Sequence, residues 1–140
     1  MKHTKQHGFT LIEILIVVVI LSILAITVVP QFLEEPGKAR IARAKSDIQS
    51  IKTALSMYKL DNFNYPSTSQ GLQALSSKPS GQPDAKNWKP GGYVENMVKD
   101  PWGNDYQYLN PGNHSSIDIY SLGADGQPGG EGQNADVGNW

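Results

Sequence analysis

Lys5-Gln6-His7-Gly8-Phe9-Thr10-Leu11-Ile12-Glu13 opens the decisive stretch of this chain, which runs on without another charge through Leu24-Ala25-Ile26-Thr27-Val28-Val29 to Pro30. Phe9 to Val29 is about 21 residues, enough for a helix to cross a bilayer core. A carboxylate costs about 2.5–3.5 kcal/mol near the centre of such a helix and less near the headgroups, so Glu13 calls for a partner. A cleavable secretory signal would carry basic residues, an apolar run and then a small-x-small cleavage site. Lys2 and Lys5 suit it, but Ala25-Ile26-Thr27-Val28-Val29-Pro30 is a poor site and the run is longer than usual. A plain membrane anchor accounts for the hydrophobicity and leaves Glu13 without a role.

Gly8-Phe9-Thr10-Leu11-Ile12-Glu13 taken as a whole resembles the class III signal of type IV pilins and type II secretion pseudopilins. The resemblance implies that a prepilin peptidase removes residues 1–8 by cutting between Gly8 and Phe9. The new N-terminal Phe9 is then methylated, and residues 9–29 are kept as a transmembrane and polymerisation helix. It further implies that Glu13 meets the terminal amine of a neighbouring subunit. Elementary electrostatics agrees. A freed Phe9 amine is a cation near Glu13, and opposite charges in a low-dielectric helix bundle offset one another's desolvation. Such a buried acid selects subunit register as a buried polar group does in a coiled coil.

The 140 residues leave about 110 after the span, one modest domain. Lys2 and Lys5 lie before the span, so the positive-inside rule keeps the leader cytoplasmic and exports the bulk. Losing them lowers the formal net charge from −1 to −3, with no basic cluster in the exported part and so no footprint for nucleic acid. Cysteine is absent, so disulfides do not staple the domain. That also sets it apart from many adhesive pilins. No Gly-x-Ser-x-Gly elbow or zinc-type spacing occurs. His114 stands alone beside a turn and reads as a solvated side chain, so the chain is not expected to be an enzyme.

Pro30, Pro36 and Gly37 predict a bend or loosened turn around residues 30–37. Ile41, Ala44, Ile48, Ile51, Leu55 and Tyr58 then form an apolar stripe at spacings of three and four. This is the core face of a helix running to about residue 60 and packed on a sheet. Residues 61–99 form a variable loop region. Within it, residues 65–75 read as a short helix capped by Ser or Thr, Trp88 and Tyr93 as folding back on the domain, and Tyr93-Val94 as a short strand. Residues 100–140 hold the sheet. Asp100 to Asp105 make a turn, and Tyr106 to Leu109 and Ser116 to Ser121 alternate as an antiparallel hairpin.

From Leu122 the glycine-rich sequence reads either as a flexible acidic tail or as an ordered loop anchored by Val137 and Trp140. Calcium takes roughly six to eight hard oxygen ligands, and a glycine-rich loop between Asp125 and Asp136 suits it, although it is no EF-hand. Tyr120 to Gly126 and Ala135 to Trp140 resemble the signature of the major pseudopilins of type II secretion. Asp100-Pro101-Trp102-Gly103-Asn104 and Tyr58-Lys59-Leu60-Asp61-Asn62 are similar to other signatures of that family. The resemblance implies an α+β, type IV pilin-like fold: a long N-terminal helix on a small antiparallel β-sheet, with a C-terminal calcium-binding loop. It implies calcium ligands from the side chains of Asp125 and Asp136 and the carbonyls of Leu122, Gln127 and Gly130. Some relatives have another acidic residue where this chain has Asn134.

The family likeness further implies a single-pass inner-membrane protein, N-terminus cytoplasmic and residues 30–140 periplasmic. It would polymerise with copies of itself into a filament that helps drive folded exoproteins across the outer membrane. Its partners would be minor pseudopilins, the prepilin peptidase, and the inner-membrane assembly platform with its cytoplasmic ATPase. The alternative is a surface fibre for adhesion, motility or DNA uptake.

Overall fold

The computed structural model describes residues 8–140, and the side chains of all of these except 27–35. Residues 1–7 of the expected leader (1–8) and the side chains at 27–29, the end of the expected span, lie outside the described residues. In chain order come helix α1 (Leu11–Asn62), a 3-10 turn (Leu72–Leu75), strands β1 (Gln107–Leu109) and β2 (Asp118–Ser121), a second 3-10 turn (Gly132–Asn134) and strand β3 (Val137–Gly138). Two compact units divide between Pro36 and Gly37.

In the first unit the large apolar side chains from Phe9 to Ile26 are all half exposed or more. A helix apolar on every side has no single stripe to bury within its own chain. Among the described residues no helix is long and apolar enough to cross a membrane. Residues 30–37, where a bend or loosened turn was expected, stay within α1, which is helical throughout Leu11–Asn62. A proline removes only its own N–H bond and crowds one carbonyl, and Pro30 and Pro36 have long helical runs on either side.

In the second unit the stripe closes the core. Ala44, Ile48, Ile51, Leu55 and Tyr58 are buried with Leu75, Ile119 and Val137. Gly37 is no helix breaker. It is buried, and a Cβ there would stand 2.6 Å from the Gln133 side chain, so its bare Cα gives the C-terminal loop its seat on the helix. Tyr106 and Tyr108 bury their rings and keep their hydroxyls bonded, to Asp47 Oδ2 at 3.0 Å and to the Pro66 carbonyl at 2.9 Å. α1 ends where Phe63 turns to φ 68 and donates its N–H to the Lys59 carbonyl at 2.7 Å, a left-handed stop.

The expected short helix over 65–75 shrinks to Leu72–Leu75. Gly71, without a side-chain cap bond, precedes that 3-10 turn, and Ser67 instead caps a separate single turn with Gln70. The Ser67 N–H donates to Gln70 Oε1 at 2.9 Å, and the Gln70 N–H returns to Ser67 Oγ at 3.2 Å. Gly71, at φ 61, then ends the turn. Trp88 folds back as expected, donating Nε1–H to the Ala74 carbonyl at 2.8 Å. Tyr93 and Val94 make no strand. Both N–H groups converge on the Leu75 carbonyl, at 2.7 and 3.3 Å, leaving no ladder to extend.

The sheet has the order β1-β2-β3, antiparallel throughout. Tyr108 faces Ile119 across the hairpin, and Ser121 faces Val137. β3 comes from the segment for which composition allowed a flexible tail. Residues 116 and 117, expected in β2, instead belong to the turn that Asp118 organises.

Candidate functional site

Two regions carry chemistry, one in each unit. At the N-terminus Thr10 and Glu13 cap α1 reciprocally. Glu13 Oε2 accepts the Thr10 N–H at 2.8 Å and the Thr10 hydroxyl at 3.0 Å, while the Glu13 N–H reaches Thr10 Oγ1 at 3.4 Å. This capping box satisfies donors that a helix start leaves open. It also supplies the partner that the sequence alone leaves Glu13 without. Gly8 and Phe9 precede the helix, and Phe9 is 85% exposed.

The second region is the loop after β2. Gly123, at φ 69, turns the chain and donates its N–H to Ser121 Oγ at 3.1 Å. The Ala124 N–H crosses to the Gln133 carbonyl at 2.9 Å. Asp125 Oδ1 accepts the Gln127 N–H at 3.0 Å, a local Asx turn. Asp136 reaches back: its Oδ2 accepts the Gly129 N–H at 3.0 Å, and its own N–H donates to the Gly129 carbonyl at 3.2 Å. The segment is therefore a closed, cross-braced loop.

The donors closing this loop go to carbonyls of Gln133, Gly129, Glu131 and Gly132, rather than to those of Leu122, Gln127 or Gly130. Asp136 Oδ1 is buried with no hydrogen-bond partner. A buried carboxylate oxygen left bare costs about 1–3 kcal/mol or more, and a cation is one way to satisfy it. Among the described residues no group of three His, Cys, Asp or Glu is poised for a metal. Carboxylate and backbone oxygens are the hard donors that calcium takes. Asp136 and Leu122 line one cleft of about 180 Å³. Asp125, Gln127 and Gly130 are exposed on the loop outside it.

The same cleft contains Asp118, which sequence reasoning missed, beside His114 and Trp140, which it read only as a solvated side chain and an apolar anchor. Asp118, 1% exposed, gathers N–H donors from Asn113 (2.7 Å), His114 (3.0 Å) and Ser115 (3.0 Å), and His114 Nδ1 lies 3.1 Å from its Oδ2. Burial raises the Asp118 carboxyl, but these bonds outweigh it and bring the pKa down to about 2. His114 is thus not simply a solvated side chain. Its ring also stacks on Trp140, with centroids 3.9 Å apart. The one legible signal was an acid inside the apolar alternation Ile117-Asp118-Ile119. A solvent-facing strand position explained it equally well.

Residues 31–140 match the model described as "Type II secretion system (T2SS), protein G", and residues 3–29 match the "Prokaryotic N-terminal methylation motif". The type II secretion system core protein G of Pseudomonas aeruginosa is 58% identical over 140 residues, covering 100% of this chain and 99% of that protein. The protein of the same description from Vibrio cholerae is 56% identical over 139 residues, 99% of this chain and 94% of its own. The crystal structure of the major pseudopilin from the type 2 secretion system of enterohaemorrhagic Escherichia coli superposes with a TM-score of 0.72 at 48% identity. That match covers 81% of this chain and 96% of that one.

Proposed function

The chain belongs to the type II secretion system protein G family, and from that premise, which makes it a structural subunit of the pseudopilus, we propose how it assembles and what stabilises it. The surface-fibre alternative is not favoured, because relatives at 46–58% identity carry the secretion name. The family is one of structural pseudopilins rather than enzymes.

The observation that carries the assembly reading is the methylation motif at 3–29 placed directly before the protein G match at 31–140. Cleavage between Gly8 and Phe9 frees and then methylates the Phe9 amine. The apolar side chains from Phe9 to Ile26, exposed in the single chain, become the buried seam between copies in the inner membrane. Glu13 exchanges its local Thr10 partner for the terminal amine of a neighbour, which fixes the stagger. The unit from Gly37 onward then faces the periplasm. Minor pseudopilins, the prepilin peptidase, and the assembly platform with its ATPase complete the partners. Mass spectrometry of the mature N-terminus is expected to find methylated phenylalanine. A chain beginning beyond Ala25 would refute the scheme. Deletion is expected to strand exoproteins in the periplasm, and normal secretion would refute it too.

The C-terminal loop is a calcium site in this reading. Asp136 and Asp125 would contribute carboxylates, and Leu122, Gln127 and Gly130 carbonyls. The bare buried oxygen of Asp136 supports it. Bound calcium would neutralise the two acids and tie the limbs of the loop together. Chelation, or Asp125→Ala, is expected to lower the thermal midpoint. Equal midpoints with calcium and with chelator would rule the site out.

A further inference from the structure

We infer that Asp100 and Ser121, far apart in sequence and outside the predicted ligand set, are positioning residues that aim the Leu122 carbonyl at the calcium site. This inference rests on the calcium reading above. Asp100 is 4% exposed and Ser121 is fully buried. Asp100 Oδ1 accepts the N–H groups of Trp102 and Asn104, at 3.0 and 2.8 Å, which holds the turn before β1. Its Oδ2 accepts the Ser121 hydroxyl at 2.5 Å.

The Ser121 proton is thereby committed to Asp100, so its oxygen can only accept, and it takes the Gly123 N–H at 3.1 Å. The Leu122–Gly123 bond is not among the cis peptides of the chain, and a trans peptide is planar with C=O and N–H opposed. Pinning the Gly123 N–H toward Ser121 therefore points the Leu122 carbonyl the opposite way. The returning limb also packs close against this turn. A Cβ on Gly123 would lie 2.8 Å from the carbonyls of both Gln133 and Ala135, so the returning limb presses on the turn. The arrangement is an outer shell of the kind that orients metal ligands, supplied here by a turn some twenty residues upstream.

Two variants isolate the relay. Ser121→Ala removes the acceptor of the Gly123 N–H. Asp100→Asn keeps a carbonyl oxygen for Trp102 and Asn104, but places an N–H donor where the Ser121 hydroxyl needs an acceptor. Calcium affinity is measured by calorimetric titration of the full mature chain in detergent, with melting in chelator as the second readout. Each variant is expected to bind calcium about tenfold or more weakly while its calcium-free melting shifts less than its calcium-bound melting. The double variant should be no worse than the worse single one, and Ser121→Thr, which keeps the hydroxyl, should recover part of the affinity. Wild-type affinity in both single variants would overturn the relay and leave the calcium site standing. Absence of binding in the wild-type chain would overturn the site itself, and the relay with it. Equal melting losses in chelator and in calcium would mark the pair as merely structural and overturn the inference.

Discussion

Asp118→Ala is the sharpest test of the buried clasp at the head of β2. The carboxylate is 1% exposed and holds three backbone N–H groups as well as the His114 ring and the Ser115 hydroxyl. A hydrogen bond to a charged group contributes about 1.5–3 kcal/mol, and a donor stranded without one costs about 1–3 kcal/mol. Asn113, His114 and Ser115 are themselves exposed, so water can recover part of that loss. The net cost is then one to two such bonds, about 2–4 kcal/mol. For a unit of roughly 100 residues, each kcal/mol moves the midpoint by about 4–8 °C, so a fall of about 8–32 °C is expected. Thermal unfolding of the full chain at neutral pH reads it directly. Asp118→Asn, which keeps one acceptor oxygen, should lie between the two.

Proton linkage gives a second readout with a defined sign. The folded pKa of about 2 lies below the ordinary 3.8. The clasp therefore contributes fully above about pH 4, and its contribution fades as the pH falls through 2. Stability of the wild-type chain should drop across that window, and Asp118→Ala should drop less steeply. A variant within 1 kcal/mol of wild type, with the same acid slope, would refute the reasoning.

Three further outcomes are expected. Leu55→Ala empties a fully buried site in the core and should cost about 2–5 kcal/mol; a urea midpoint moved by less than the equivalent of 1 kcal/mol would contradict the described core. Gly138→Ala would drive a Cβ into the Trp140 ring. It should therefore lift that ring off His114, shift the Trp140 indole NMR signal and lose about 0.5–1.5 kcal/mol; an unmoved indole signal would speak against the stack. Glu13→Ala removes the acceptor of the Thr10 N–H, a cap worth about 1 kcal/mol, so the helix start should fray slightly while membrane insertion persists. Cross-linking of neighbouring subunits should fail, and normal filaments from this variant would dispose of the register role of Glu13.

What could be read without a structure was whatever repeats locally. The processing motif from Gly8 to Glu13 stands in consecutive residues. The stripe from Ile41 to Tyr58 is visible because a helix of 3.6 residues per turn stamps its period on the chain, and the same logic exposed the hairpin that became β1 and β2. The candidate ligands Asp125 and Asp136 stood out as acids among glycines. Tertiary structure decided everything that depends on which segments meet. Val137 and Gly138 are a strand only because β2 offers a free edge. Ser67 caps a single turn because Gln70 answers it and Gly71 stops it. Gly37, which reads as a breaker, is a seat because Gln133 arrives opposite. Asp100 and Ser121 each stand in a quoted signature, yet their bond to one another was silent in the sequence, because it links segments 21 residues apart. Backbone periodicity is local and survives in one dimension. A buried polar bond has no sequence signature, because its strength comes from a dry, crowded site that exists only once the chain has folded around it.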